Sequence, residues 1–346
     1  MIGVLSYFKW SFAVTVLGLV LAAWLGWQTL GTAGGTASFL LIGLVLAVLE
    51  ISLSFDNAIV NANKLKDMTP VWQKRFLTWG ILIAVFGMRI VFPLLVVVIA
   101  AHIGPIDAVI LAAREPQEYA RIIGDAHLSI SAFGGSFLML VALNYFMDEE
   151  KDVDWVRLVE SRMRACAAVK GPEVAVVLGI ATAFTVLLPE GEGAEFLFAS
   201  VCGVLTFLGV ELIGHVLDAQ QGAASAAAKG GLGAFLYLEV LDASFSFDGV
   251  IGAFALTQNL FLIAIGLGIG AMYVRSMTLM LVERRTLAQF RYLEHGAFYS
   301  VLVLAIIMFV QSLVHIPEVI TGLFGACLIG LSLIASIRHE RYAEGH

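Results

Sequence analysis

The sequence predicts an all-α polytopic membrane protein of about ten spanning helices, arranged as two inverted five-helix repeats. Three observations carry that expectation. Hydrophobic residues make up 60% of the 346-residue chain and charged residues only 14%, a balance foreign to soluble domains. Ten stretches of roughly twenty residues are nearly free of charge, the length that a helix needs to cross a bilayer. The loops between them alternate in charge: sixteen of the twenty Lys and Arg residues fall on one side, as the positive-inside rule requires of a cytoplasmic face.

In chain order the first stretch, 10–30, follows Lys9 and contains Trp10, Trp24 and Trp27. It is too long and too bulky for the core of a secretory signal, so it reads as a retained span. The second, 38–60, begins as pure hydrocarbon and ends in "EISLSFDNAIV". The third, 77–101, contains Arg89; 128–146, 172–189 and 195–217 follow, the last with Glu211. The seventh, 231–256, holds Glu239, Asp242 and Asp248, and the eighth, 259–282, holds Arg275. The ninth and tenth are 296–315 and 318–336.

Of the loops, 104–127 lies outside and is expected to hold a short amphipathic helix against the membrane surface. Loop 148–171 lies inside and mixes both charges at helical spacing, either as a solvated docking helix or as a plain connector. Segment 218–234 is rich in small residues and reads as slack. Both termini fall on the cytoplasmic side, and the strong basic excess there suits a bacterial inner membrane. The net charge of −7 identifies no partner. A lipid bilayer and a divalent metal ion are the expected partners, with a homo-oligomer allowed and no nucleic acid. Cys166, Cys202 and Cys327 have no paired spacing, which excludes a disulfide framework and a thiolate metal site.

The acidic stretch recurs. With Asp56 placed over Asp248, "EISLSFDNAIV" matches "DASFSFDGVIG": Glu50 falls on Asp242, Ser52 on Ser244, Ser54 on Ser246 and Phe55 on Phe247. The likeness extends into the following stretch, where Gly80 precedes Arg89 by nine residues and Gly266 precedes Arg275 by nine. These features occupy stretches two and three, then seven and eight, so the chain divides at 1–190 and 191–346 into two units of five. Five is odd, and the second unit therefore enters from the opposite side, as in the inverted repeats of many secondary transporters.

An acid at mid-membrane costs about 2.5 to 3.5 kcal/mol on insertion scales and is tolerated where it faces a wet cavity or a partner. The two acids of each motif are six residues apart, which places them about 120° apart on an unbroken helix. Convergence on one ion thus requires local unwinding, and the intervening serines with Asn57 or Gly249 compete with helical hydrogen bonding. Glu50 and Asp242 fall near mid-membrane, Asp56 toward the cytoplasm and Asp248 toward the exterior. Oxygen donors of this kind suit Mn²⁺, Mg²⁺ or Ca²⁺, whereas Zn²⁺ and copper sites recruit imidazole or thiolate. No histidine lies in the motifs; His215, one turn after Glu211, is the one histidine beside an acid worth testing. A bland alternative pairs Arg89 and Arg275 with two of the acids as salt bridges that only fix packing. Four acids against two arginines still leave negative charge for protons or a cation.

This pair of motifs, an acid six residues before "SFDN" and again before "SFDG", resembles the TerC family of integral membrane proteins, within the lysine-exporter superfamily. The likeness covers stretches two to nine, and the loops 104–127 and 148–171 mark a long-loop branch. The resemblance implies manganese export or tellurium resistance, with a metal site at Glu50, Asp56, Asn57, Asp242 and Asp248. Ser54 and Ser246 would assist, and Arg89, Arg275, Glu239 and Glu211 would serve as ion-pair or gating residues. No G-x-x-x-x-G-K-[ST] run occurs, so coupling is expected from protons or membrane potential. No prosthetic group is expected; Mn²⁺, Ca²⁺ or Mg²⁺ is cargo. Two other classes stand beside transport: an intramembrane enzyme using the aspartates as acid and base, and a non-transporting scaffold in a metal or tellurite stress complex.

Overall fold

A computed structural model describes residues 3–344 except 67, 81–82, 149–150, 167–170, 221–230, 285–288 and 315. Among the described residues every regular element is a helix. After a single turn, Val4–Tyr7, come α1 (Lys9–Leu30), α2 (Ala33–Leu53), α3 (Phe55–Leu65) and α4 (Pro70–Arg75). Two π-helical segments follow, Phe76–Gly80 and Ile83–Val91, then α5 (Phe92–Ala101), α6 (Pro105–Arg114), α7 (Pro116–Asp125) and α8 (His127–Phe146). The remainder comprises α9 (Arg157–Cys166), α10 (Pro172–Leu187), α11 (Glu192–Gln220), α12 (Leu232–Leu256), α13 (Leu260–Glu283), α14 (Leu293–Gln311) and α15 (Glu318–Glu344).

Seven of the described helices, α1, α2, α8, α11, α13, α14 and α15, are long and apolar enough to cross a membrane, which marks the chain as a membrane protein. The three other stretches expected to span are helical as well. One is the π-helical region with α5, one is the 16-residue α10, and one is the 25-residue α12, whose three acids lower its hydropathy. Loop 104–127 holds two short helices, α6 and α7, rather than one.

The chain divides into two compact units. The first contains residues 1–54, 73–127 and 245–280; the second contains 55–72, 128–244 and 281–346. They are interleaved along the sequence. In the first unit, α1 and α2 form a hairpin. Gly31 ends α1 at φ 62°, a left-handed conformation that glycine adopts without strain, and the Thr32 side chain caps α2 by accepting from Gly35 N at 3.0 Å. Leu46 of α2 joins Val250, Ala253, Ile263 and Leu267 in a buried cluster. In the second unit α14 packs on α3 and α15. Phe184, Phe196 and Phe309 lie edge to face or stacked, with centroids 5.1 to 6.1 Å apart, and tie α10, α11 and α14 together.

Candidate functional site

In the first unit the centre of interest is Glu50, only 2% exposed near the end of α2. Its Oε1 accepts from a terminal nitrogen of Arg89, itself 4% exposed, and from Ser54 Oγ at 3.1 Å. The local sequence explains the geometry. Ser54 leaves the helical region at φ −102°, ψ 17°, yet its N–H still bonds Glu50 O at 3.0 Å, so the hydroxyl turns back onto the carboxylate one turn away. Arg89 comes from the π-helical segment, a winding that recurs at functional sites. Glycines complete the enclosure. A Cβ added at Gly270 would lie 2.4 Å from Glu50 Cβ, and one at Gly249 would lie 3.2 Å from Glu50 Oε2. Arg275 is half-buried, and its Nε has no hydrogen-bond partner among the described residues.

In the second unit Asp242 stands on α12 opposite two amides of α3. Asn57 Nδ2 donates to its Oδ1 at 2.8 Å and Asn61 Nδ2 donates to the same oxygen at 3.3 Å. The amides share a face because they are four residues apart on a helix. Among the described residues their own Oδ1 atoms are buried and receive no hydrogen bond, and Glu239 Oε1, three residues before Asp242, is in the same state. The two amides that face Asp242 thus each keep an oxygen open to a donor or a cation.

Asp56 lies apart from these contacts, 5% exposed at the first turn of α3. Its Oδ2 accepts from Ser300 Oγ of α14 at 2.7 Å and its Oδ1 accepts from Asn57 N at 2.9 Å. Glu211 is on the surface and accepts from Asn144 Nδ2 at 3.5 Å. The side chains of Asp248 and His215 lie outside the described residues. Ser246 is buried, and its Oγ has no partner among the described residues.

One expectation changes. Unwinding occurs only in the first motif, at Ser54; the second motif lies within the continuous helix α12. There Ser244 Oγ donates to Val240 O at 3.0 Å, a bond made along the helix, so it does not draw the backbone out of it. Among the described residues no three His, Cys, Asp or Glu side chains share a metal-sized site. Arg89 neutralises Glu50 in the first unit, and two amides donate to Asp242 in the second.

Loop 148–171 is more than a connector. Glu160 of α9 is fully buried and accepts from Lys151, from Trp155 N and Val156 N at 3.1 and 2.9 Å, and from Tyr299 OH at 3.2 Å. His295 Nε2 is 3.4 Å from its other oxygen and 2.8 Å from Val153 O. Burial pushes the Glu160 carboxyl up, but Lys151, the Val156 N–H and His295 outweigh it and hold the group below the ordinary glutamate range.

A model of the family DUF475, described as "Protein of unknown function", matches residues 55–343. The chain belongs to that family. The matched region of this DUF475 chain starts where α3 starts and includes Asp56, Asn57, Asn61, Asp242 and Ser300, while Glu50 and Ser54 precede it. Comparison with curated proteins and with solved structures gave no match.

Sequence reasoning passed over Asn61, Ser300 and Glu160. Asn61 had a readable signal, an amide one turn after Asn57 in an apolar run, but its counterpart in the second motif is Ala253, so the repeat hid it. Ser300 and Glu160 are joined to their partners across 244 and 139 residues, distances over which spacing carries no information.

Proposed function

We propose that this DUF475 chain is a secondary transporter that exports a hard divalent cation, Mn²⁺ foremost, from the cytoplasm across a bacterial inner membrane. One observation carries the reading: Asp242 beside the buried, unanswered oxygens of Asn57, Asn61 and Glu239. Two carboxylates and two amides offer the donors that Mn²⁺, Mg²⁺ and Ca²⁺ accept. A half-turn of each amide exchanges Nδ2 for Oδ1 and converts the present hydrogen bonds into cation contacts. Neutral amides suit a site that must both load and release its cargo.

In this reading the chain is related to the TerC family, has ten spanning helices in two inverted repeats, 1–190 and 191–346, and keeps both termini cytoplasmic. The ten helical regions at the expected stretches support it. Glu50 and Arg89 form the charge pair of one state of the transport cycle, and coupling comes from protons or membrane potential. Asp56 and Asp248 act on the same cargo path.

Reconstituted vesicles with a manganese-quenched dye inside test the proposal. The native chain admits Mn²⁺, and Asp242→Asn, Asp56→Asn and Asp248→Asn each abolish the flux while the protein remains inserted. Flux retained in the Asp242 variant removes the cluster from the mechanism. Turnover of a membrane peptide or lipid that depends on Asp56, without ion flux, would favour an intramembrane enzyme.

A further inference from the structure

A second feature of the first unit has no acid in its lining. Between α1, α13 and the π-helical segment runs an apolar groove of about 530 Å³. It is lined along α1 from Val14 to Leu25 and along α13 from Phe261 to Ile269, with Phe86 and Ile90 forming the remaining wall. Its floor exists because Gly18 lets α1 approach α13 closely: a Cβ there would lie 2.7 Å from Ile269 Cδ1. The groove opens sideways, since Leu17, Trp24 and Phe86 are 59%, 59% and 54% exposed. Both α1 and α13 are long and apolar enough to span a membrane, so the medium at its mouth is hydrocarbon.

Its dimensions select the occupant. The lining of α1 covers about 16 Å at 1.5 Å per residue. Spread over that length, even the whole space between the walls, about 1180 Å³, leaves a mean cross-section of about 72 Å². A helix with side chains is about 10–12 Å across and needs about 80–110 Å². A partner helix or a second copy of the chain therefore does not fit. One leaflet of a bilayer core is about 15 Å deep, which matches the groove's length. Apart from the indole N–H of Trp24, the lining side chains carry no polar atom, so the walls offer a headgroup nothing. An empty groove would forfeit the dispersion contacts of all three walls.

We propose that the groove seats one acyl chain of a bilayer phospholipid, which thereby braces the π-helical segment that carries Arg89. Phe86 and Ile90 touch the occupant; Arg89, beside Ile90, holds Glu50. Occupancy by lipid thus supports the backbone that presents Arg89. The inference is independent of which ion, if any, the protein carries.

Native mass spectrometry of the full chain purified in mild detergent tests it. The native chain retains one phospholipid. Ala264→Leu and Leu21→Trp, which extend side chains into the groove from opposite walls, each lower that occupancy at least tenfold. Leu205→Ala, at an exposed position of α11, leaves it unchanged. A native chain that carries no phospholipid overturns the proposal without recourse to any variant. Retained lipid in both filled variants overturns it too, as does a two-chain mass that Ala264→Leu reduces to one.

Discussion

Gly270→Ala is the smallest change that should disturb the buried charge pair. The added methyl would lie 2.4 Å from Glu50 Cβ, 2.5 Å from Glu50 Cγ and 3.0 Å from Ala47 O. Ordinary carbon contacts begin near 3.5 Å, so α13 and α2 must separate locally by about 1 Å. The atoms in the way are the root of the side chain and a backbone carbonyl, so no rotamer change relieves the clash. Overpacking of this kind costs about 1–3 kcal/mol. If Glu50 is driven off Arg89, the loss rises toward the about 3–5 kcal/mol of a broken buried pair. Gly249→Ala is the internal comparison. Among the described residues its methyl would meet only Glu50 Oε2, at 3.2 Å, a contact that a shift of a few tenths of an ångström relieves, so its cost should stay below about 1 kcal/mol. Unfolding of the detergent-solubilised chain, followed by tryptophan fluorescence, reads both. Equal destabilisation by the two substitutions, or none by Gly270→Ala, would refute the placement of Glu50.

Asn61→Ala should weaken Mn²⁺ binding about tenfold, or about 1.4 kcal/mol, measured by calorimetry; an unchanged Kd excludes the amide as a ligand. Tyr119→Phe should stabilise the chain by about 1 kcal/mol in the same unfolding assay, because Tyr119 OH is buried without a hydrogen-bond partner among the described residues; a loss of stability would reveal a partner for the hydroxyl. For Glu160 the folded carboxyl is held below its ordinary value of 4.5. Its contribution to stability is therefore complete above about pH 4.5 and lost as pH falls through the lower folded value. Hydrogen exchange corrected for intrinsic rates should show residues 151–166 protected at pH 7 and 5 and loosened in stronger acid. Glu160→Gln should lower the protection at pH 7 and flatten the acid dependence; a profile matching the native one would sink the assignment.

Much of the helical layout was legible because hydrocarbon content is a bulk property: a run such as "FLLIGLVLAVL" has no other stable solution in a bilayer. The charge pair was half legible. Arg89 had to find an acid, but nothing in the spacing singled out Glu50. The different behaviour of the two motifs was hidden, since both contain serines, and whether a hydroxyl turns to a carboxylate or to a carbonyl depends on packing. The fate of loop 148–171 was hidden for a related reason. Its mixed charges read as solvated, yet Glu160 is drawn inward by Tyr299 and His295 from a helix more than a hundred residues away.

The winding of residues 83–91 governs how this region tolerates change in length. A π turn holds one more residue than the α-helix it interrupts. Removing a single residue from 83–88 would let one turn return to ordinary winding, so Arg89 and the helix beyond it would keep their direction. The same deletion in an α-helix has no such outlet and swings every later position by about 100°. A deletion scan would find this stretch more forgiving than the ordinary helices around it.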